Sequence, residues 1–196
     1  MILSKLKEST RSQHEALESV VDVMNKTFSR EDYRALLMKF YRFYSAMEPR
    51  LPADALAVEG FDVGPRLKLP MLVKDLQTLG ALDAARELPP LTDLPATETV
   101  GQAFGSIYVM EGATLGGQLI TRHLKEHLGV TPEDGGAFFN SYGREVGPMW
   151  KAFGAAVTAY SEKCPDQDDA IVTAARETFD SFRRCFEQQA SADVTI

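Results

Sequence analysis

The sequence predicts an all-α protein, and three observations favour that class. Apolar residues recur three and four positions apart along several segments, as on one face of a helix. No segment shows the alternation of a half-buried strand, and Gly, Pro and Asp clusters separate stretches of helical length. The 196 residues are 44% hydrophobic and 25% charged, as in ordinary globular proteins, so we expect one domain over residues 1–196.

The first half of the chain predicts three helices. The first covers residues 3–25 and has apolar positions at Leu3, Leu6, Leu17, Val20, Val21 and Met24. The second starts after Ser29, which forms a capping-box pattern with Asp32, and ends near Pro49 or Pro52. A loop is expected over residues 52–64, and a shorter helix then follows Pro70 and ends at Gly80.

The second half predicts three more helices around irregular segments. Residues 88–97 hold three of the ten prolines and are expected to be a connector. The remaining segments are, in order, a glycine-rich helix from near Thr97 to Gly129, an irregular stretch over residues 130–147, a helix from Pro148 through Tyr160, and a last helix that follows residues 166–169 and ends near Gln189.

The glycine-rich helix carries an unusual number of residues that disfavour helices. An interior glycine costs a helix about 1 kcal/mol relative to alanine. Gly101, Gly105, Gly112 and Gly116 fall on nearly one face, where Tyr108 is the only large side chain. Such a face permits either a tight crossing with another helix or close contact with a flat ligand. The glycines at the C-terminal end can also bend the helix.

Of the three histidines, His14 shows the clearest binding pattern. Glu18 lies one turn further on, where its carboxylate can accept the proton on Nδ1 and leave Nε2 free to bind a metal. Lys7 lies on the same face, about 10 Å back along the axis. We interpret His123 and His127 as polar residues of a helix end, since they do not fit a zinc-hydrolase motif.

Charge and cysteine content exclude some classes of function. The net charge of −7 argues against non-specific binding of nucleic acid or of an anionic membrane surface. The chain opens without a secretory pattern, and Cys164 and Cys185 do not form a CxxC motif. These features indicate reduced thiols and a cytoplasmic location.

Two segments resemble the heme oxygenase family, bacterial branch. The string LKESTRSQHEALE, residues 6–18, is similar to the family's proximal helix, and YVMEGATLGG, residues 108–117, is similar to its distal helix. The segment GGAFFNSYG, residues 135–143, resembles the family's sequence after the distal helix. The resemblance implies a single-domain helical bundle with heme between the proximal and distal helices.

The same resemblance implies roles for individual residues. His14 would be the axial ligand of the heme iron, Glu18 the carboxylate that steadies it, and Lys7 a partner of a heme propionate. In ARETFDSFRR, Arg176 falls where a second propionate-binding cation belongs, with Arg183 and Arg184 as alternatives. On the distal helix the implied contacts are Gly112 and Gly116, whose backbone lies over the heme, and Tyr108 and Gly117 beside them.

The implied activity is oxidative cleavage of heme to biliverdin, with release of iron and carbon monoxide. Heme is then both substrate and cofactor, and dioxygen is the co-substrate. No flavin or nicotinamide fingerprint is present in the sequence, so electrons are expected from a ferredoxin or flavoprotein reductase. A bilin-binding photoreceptor is one destination that we consider for the product.

One departure from the family pattern keeps alternatives open. Many members carry an aspartate directly after the first distal glycine, and this chain has Ala113 there. Glu111 should point about 100° away from Gly112, which leaves proton delivery to water held by backbone carbonyls. A heme carrier or sensor on the same fold is therefore a second interpretation. A non-heme iron helical enzyme is a third, although it needs inward carboxylates and histidines from several helices.

Overall fold

The computed structural model describes residues 1–21, 23–25 and 27–187. Over these residues the chain forms eleven α-helices and no strand, apart from isolated bridges at Thr131. The helices are α1 (Ile2–Ser9), α2 (Arg11–Val20), α3 (Arg30–Met47), α4 (Ala53–Val58), α5 (Leu69–Thr78), α6 (Leu82–Arg86), α7 (Val100–Gly112), α8 (Gly117–Leu128), α9 (Ala137–Asn140), α10 (Val146–Lys163) and α11 (Asp168–Glu187). The predicted all-α class is confirmed.

The predicted first helix is two helices. Thr10 separates α1 from α2 with φ −112° and ψ 6°, and its hydroxyl donates a hydrogen bond to the carbonyl of Leu6 at 2.8 Å. A threonine hydroxyl that bonds to the backbone in this way competes with regular helix geometry. The expectation of one continuous helix over residues 3–25 is therefore wrong. α2 starts at Arg11, so His14 lies in its first turn.

Several helix ends agree with the sequence. Ser29 and Asp32 form the predicted capping box at the start of α3, with hydrogen bonds of 2.8 and 3.1 Å between them. Gly80 and Gly129 adopt φ of +65° and +67° after α5 and α8, a conformation that costs glycine little. The loop expected over residues 52–64 is wrong in part, because α4 forms within it.

The glycine-rich segment is also two helices rather than one. α7 begins after Thr99, which forms a capping box with Gln102. Residues 113–116 then form a turn in which amide groups donate to the carbonyl three positions earlier, as Leu115 does to Gly112 at 3.1 Å. α8 resumes at Gly117.

α11 organises the packing around these elements. It lies against α7, α2, α1 and α3, while α10 contacts α1 and α7. α10 contains Pro148 in its first turn as predicted, and it extends to Lys163 rather than Tyr160. The predicted end of the last helix at Gln189 lies outside the described residues. In the described part of the chain, no helix combines the length and apolar character that crossing a membrane requires.

Candidate functional site

A cavity of about 750 Å³ lies among the helices that the binding motifs occupy. This volume falls within the range of about 300–1,000 Å³ typical of small-molecule sites. α1 and α2 contribute to one part of the wall, and α7, the turn and α8 to another. Aromatic side chains from the remaining helices complete it: Phe40, Tyr44, Phe138, Phe139, Trp150, Phe179 and Phe182.

α1 and α2 bring the predicted proximal residues to this cavity. His14, Glu18 and Lys7 all line it. Nδ1 of His14 lies 3.5 Å from Oε2 of Glu18, as their spacing predicts. The imidazole also packs edge-on against Phe179, with ring centroids 5.7 Å apart. Among the described residues, no hydrogen bond or ion pair engages Nε2, so the ring offers this nitrogen to a ligand.

The break between α1 and α2 adds a cation that sequence reasoning missed. Arg11 lines the cavity together with Lys7, and both side chains belong to exposed residues. Neither cation forms an ion pair with a described residue. Arg11 lies three positions before His14, a spacing that places the two residues on one helix face. This spacing could have identified it from the sequence.

The C-terminal end of α7 and the turn after it bring two glycines to the cavity. Gly112 and Gly116 line it together with Ala113 and Tyr108. A Cβ atom added to Gly112 would meet no other atom within 4 Å, and one added to Gly116 would meet only Ile120, at 3.7 Å. Because no neighbouring helix packs against these two glycines, their lack of side chains leaves open space in the cavity. Burial raises the pKa of the Tyr108 phenol above its usual range, which keeps it protonated.

Two predicted site residues lie outside the cavity lining. A Cβ at Gly117 would overlap the carbonyl oxygen of Phe139, so this glycine allows α8 to pack against α9. The Arg176 guanidinium donates from Nε to the carbonyl of Ser9 at 2.8 Å and holds the end of α1. The structure gives both residues contacts within the protein, and their expected contacts with heme stay predictions. The alternatives Arg183 and Arg184 pair with Glu187 and Asp93, at 2.6 and 2.7 Å.

A buried charged cluster beside α7 was not predicted. Glu111 is 2% exposed and pairs with Arg66 at 2.6 Å and with Lys68 at 3.4 Å. Tyr142 donates to the same carboxylate at 2.6 Å. Glu111 does not line the cavity, in keeping with the direction expected for it, but Lys68 does. The partners lie 31 to 45 positions from Glu111, which is why local spacing could not reveal them.

Comparison with known proteins decides the family. The family model described as heme oxygenase matches residues 1–188. The chain belongs to the heme oxygenase family. A protein of Xanthomonas campestris pv. campestris (strain 8004), named heme oxygenase, is 28% identical over 164 residues, which are 82% of this chain and 92% of that protein. The predicted family is confirmed, and the chain is a heme-degrading enzyme with heme and dioxygen as its ligands.

Solved heme oxygenase structures share the fold. The enzyme of Neisseria meningitidis, crystallised with NO and CO, has a TM-score of 0.77 and 22% identity, and the match covers 98% of this chain and 95% of that one. The enzyme of Leptospira interrogans has a TM-score of 0.73 and 17% identity, with 96% and 99% covered. At these identities the likeness supports the helical bundle and not individual residue roles.

The cavity residues fit a heme. A porphyrin needs an apolar slot, one axial donor atom and cations for its propionates. The aromatic wall provides the slot, and the unengaged Nε2 of His14 provides the donor. Lys7 and Arg11 provide the cations on the same two helices. The open space over Gly112 accommodates a flat group that would collide with larger side chains.

Proposed function

We propose that this heme oxygenase cleaves heme oxidatively to biliverdin, with release of iron and carbon monoxide, on a single domain that spans residues 1–196. The observation that carries the proposal is the cavity itself. His14 lines it from α2, while Gly112 and Gly116 line it with bare backbone from the turn. A histidine and an exposed backbone around one slot suit a ligand that needs both an axial donor and close distal contact.

His14 would hold the heme iron through Nε2. Glu18, 3.5 Å from Nδ1, selects the tautomer that carries its proton on Nδ1 and limits rotation of the ring. Both side chains are more than half exposed, so the carboxylate is solvated and transfers only a small part of its charge to the imidazole. A nearly neutral histidine donates less electron density to iron than a thiolate would.

Lys7 and Arg11 would bind the propionates and so fix the rotation of the heme within its plane. Charge-assisted hydrogen bonds of this kind are short and directional. That rotation would decide which edge of the porphyrin is cleaved. Replacing Lys7 should therefore change the distribution of biliverdin isomers, whereas Arg176, engaged with Ser9, should influence it less.

The distal wall would control access to the iron. When bound, the heme supplies the iron at which dioxygen is activated with electrons from outside the protein. Backbone groups around Gly112 and Gly116 can hold water near that position and exclude bulkier molecules. Ala113 lines the wall without a carboxylate, so the chain's own proton-handling groups at this turn are backbone atoms and the Thr114 hydroxyl, which donates to the carbonyl of Glu111.

We also propose the context in which the enzyme acts. A ferredoxin or a flavoprotein reductase would supply the electrons, and a bilin-binding photoreceptor is a candidate consumer of the product. The free thiols of Cys164 and Cys185 suit the reducing cytoplasm.

The decisive experiment is aerobic turnover of the purified heme complex with ferredoxin, its reductase and NADPH. Catalase must be present, so that free hydrogen peroxide cannot degrade the heme. We expect the Soret band to disappear while biliverdin and carbon monoxide form in equal amounts. A heme that is demonstrably reduced but not consumed would instead support the carrier or sensor interpretation, which the alanine at position 113 favours.

A further inference from the structure

The buried charged cluster beside α7 has one member that reaches the cavity wall. Glu111, Arg66, Lys68 and Tyr142 contact one another in the protein interior, and Lys68 also lines the cavity. We propose that the Lys68 ammonium is the fixed cation of this wall, and that Glu111 is the positioning residue that holds it and partly offsets its charge. The inference rests on the proposed function in that it takes the cavity to be the heme site.

The hydrogen bonds hold Lys68 in one place. Its Nζ donates to the hydroxyl of Tyr142 at 2.6 Å and to the carbonyl of Arg66. The carboxylate of Glu111 lies further away, at 3.4 Å, and accepts a shorter bond of 2.6 Å from Tyr142. Two strong bonds therefore fix the ammonium, and the third N–H is only loosely engaged. That N–H can donate to water in the cavity.

The charges in the cluster balance, but they lie at different depths. Arg66 and Lys68 face the carboxylates of Glu111 and Glu48, and the Glu48 carboxylate accepts from the backbone amide of Lys68. Glu111 and Arg66 do not line the cavity, whereas Lys68 does. Of the four charged residues, Lys68 is therefore the one that lines the cavity, and a ligand there would experience the positive potential of its ammonium.

Burial makes this potential effective. The side chains of Lys68 and Glu111 are 2% and 3% exposed, so solvent screens their field weakly. Desolvation lowers the pKa of Lys68, while the neighbouring Glu111 and Glu48 carboxylates oppose that shift. Tyr44 also lines the cavity, and its uncharged hydroxyl donates to the carbonyl of Met110. Lys68 is therefore the buried cation of the cavity lining, whereas Lys7 and Arg11, which also line the cavity, are exposed residues.

The position of this cation matters because the turn lacks a charged side chain. Ala113, Gly112 and Gly116 line the cavity without a titratable group. A positive potential stabilises negative charge on oxygen atoms near the heme iron, in the manner of preorganised donors in other active sites. Lys68 reaches the cavity from the segment before α5, a part of the chain that the heme oxygenase motifs at residues 6–18 and 108–117 do not include.

The test uses opposite charge changes and a spectroscopic readout. The acid–alkaline transition of the ferric heme complex would be followed in its absorption spectrum for the wild type, Lys68→Gln and Glu111→Gln. Loss of the cation should move the transition to higher pH by roughly half a unit or more, which is about a threefold change in proton affinity. Loss of the anion should move it to lower pH. A purely structural role would not produce shifts of opposite sign.

Three further variants complete the experiment. Lys68→Arg keeps the charge and should leave the transition near its wild-type pH. Lys163→Gln removes a lysine that pairs with Glu59 outside the cavity lining, and it should have no effect. The double variant Lys68→Gln with Glu111→Gln removes both charges, and its transition pH should fall between those of the two single variants. It can also be measured if a single variant, left with one uncompensated charge, fails to fold.

The outcomes separate this inference from the proposed function. If hemin does not bind at all, the proposed function fails. If hemin binds and turns over but the transition stays within about a tenth of a pH unit in Lys68→Gln, Glu111→Gln and the double variant, the assignment of Lys68 is wrong. Shifts of the same sign in both single variants would also overturn it.

Discussion

Gly101 and Gly105 in the first half of α7 and Gly112 and Gly116 at and after its C-terminal end have the same four-residue spacing but different surroundings. A Cβ at Gly105 would overlap the carbonyl oxygen of Ile171 and lie 2.9 Å from the Cβ of Ala174, both on α11. A Cβ at Gly112, two turns further on, would meet nothing within 4 Å. One glycine therefore allows two helices to approach, and the other keeps a cavity open.

This difference explains how a single segment supports both stability and function. The α7–α11 contact also contains a buried hydrogen bond from Thr178 to Ser106 at 2.9 Å, so it anchors the first half of the segment firmly. The second half leaves helical geometry at residues 113–116, all of which line the cavity. We infer that substitutions in the first half act on folding and that those in the second half act on the ligand.

The largest effect on stability is expected from Gly105→Ala. The added methyl group would overlap backbone atoms of α11, which cannot move aside as a flexible side chain can. Overpacking of this kind costs about 3 kcal/mol. The free energy of unfolding of the heme-free protein in urea should fall by that amount. A loss below about 0.5 kcal/mol would contradict the described contact.

Gly117→Ala should have a smaller effect of the same sign. Its methyl group would overlap the carbonyl of Phe139, but Phe139 belongs to the four-residue helix α9, which can shift more easily than α11. We expect a loss of about 2 kcal/mol in the same urea measurement. If the variant retains full stability but loses hemin affinity, Gly117 would be a ligand contact as the sequence motif implied.

Gly112→Ala should separate the two properties. Alanine favours helix over glycine by up to about 1 kcal/mol, and no atom obstructs its methyl group, so the heme-free protein should be slightly more stable. The same methyl group would narrow the cavity and weaken hemin binding by roughly tenfold. The stabilisation that hemin confers in thermal unfolding should shrink accordingly. Unchanged hemin affinity would place the ligand elsewhere.

The smallest effect concerns an exposed ion pair between α1 and α11. Lys5 and Asp169 lie 2.8 Å apart, and the hydrogen bond from Lys5 lowers the pKa of Asp169. Because the pKa is lower in the folded state, the ion pair stabilises the fold at pH values above the ordinary pKa of 3.8. This stabilisation is lost as the pH falls through the lowered pKa. In Asp169→Asn, the free energy of unfolding should therefore fall less steeply as the pH is lowered below about 4, and hemin binding should not change. A change in hemin affinity would contradict our inference that this ion pair on α11 does not influence the heme site.

The parts of the fold that the sequence predicts well are those with local causes. The capping box at Ser29 and the left-handed glycines after α5 and α8 depend on residues a few positions apart. His14 and Glu18 are likewise neighbours on one helix, so their contact follows from their spacing. Resemblance to the family then placed Gly112 and Gly116 near the ligand, and the cavity lining includes both.

Most of the missed features depend on contacts between distant segments. The helix break at Thr10 is local instead, because the Thr10 hydroxyl donates to the backbone carbonyl of Leu6, four positions earlier. Arg176 donates a hydrogen bond to the carbonyl of Ser9, 167 positions away, a contact that its position in the motif did not predict. Lys68 and Glu111 meet across 43 positions. Helical periodicity identifies the residues that share one face of a helix. It does not identify the segment that packs against that face, so it could not predict these contacts between distant residues.

The measurement that tests the account most directly is a hemin titration of the wild type, His14→Ala and His127→Ala. Trp150 lines the cavity and is the single tryptophan of the chain, so its fluorescence should be quenched at one equivalent of hemin. We expect His127→Ala to match the wild type, and His14→Ala to lose the histidine-ligated spectrum and regain it with added imidazole. A histidine-ligated spectrum that persists in His14→Ala would contradict the assignment of the heme site.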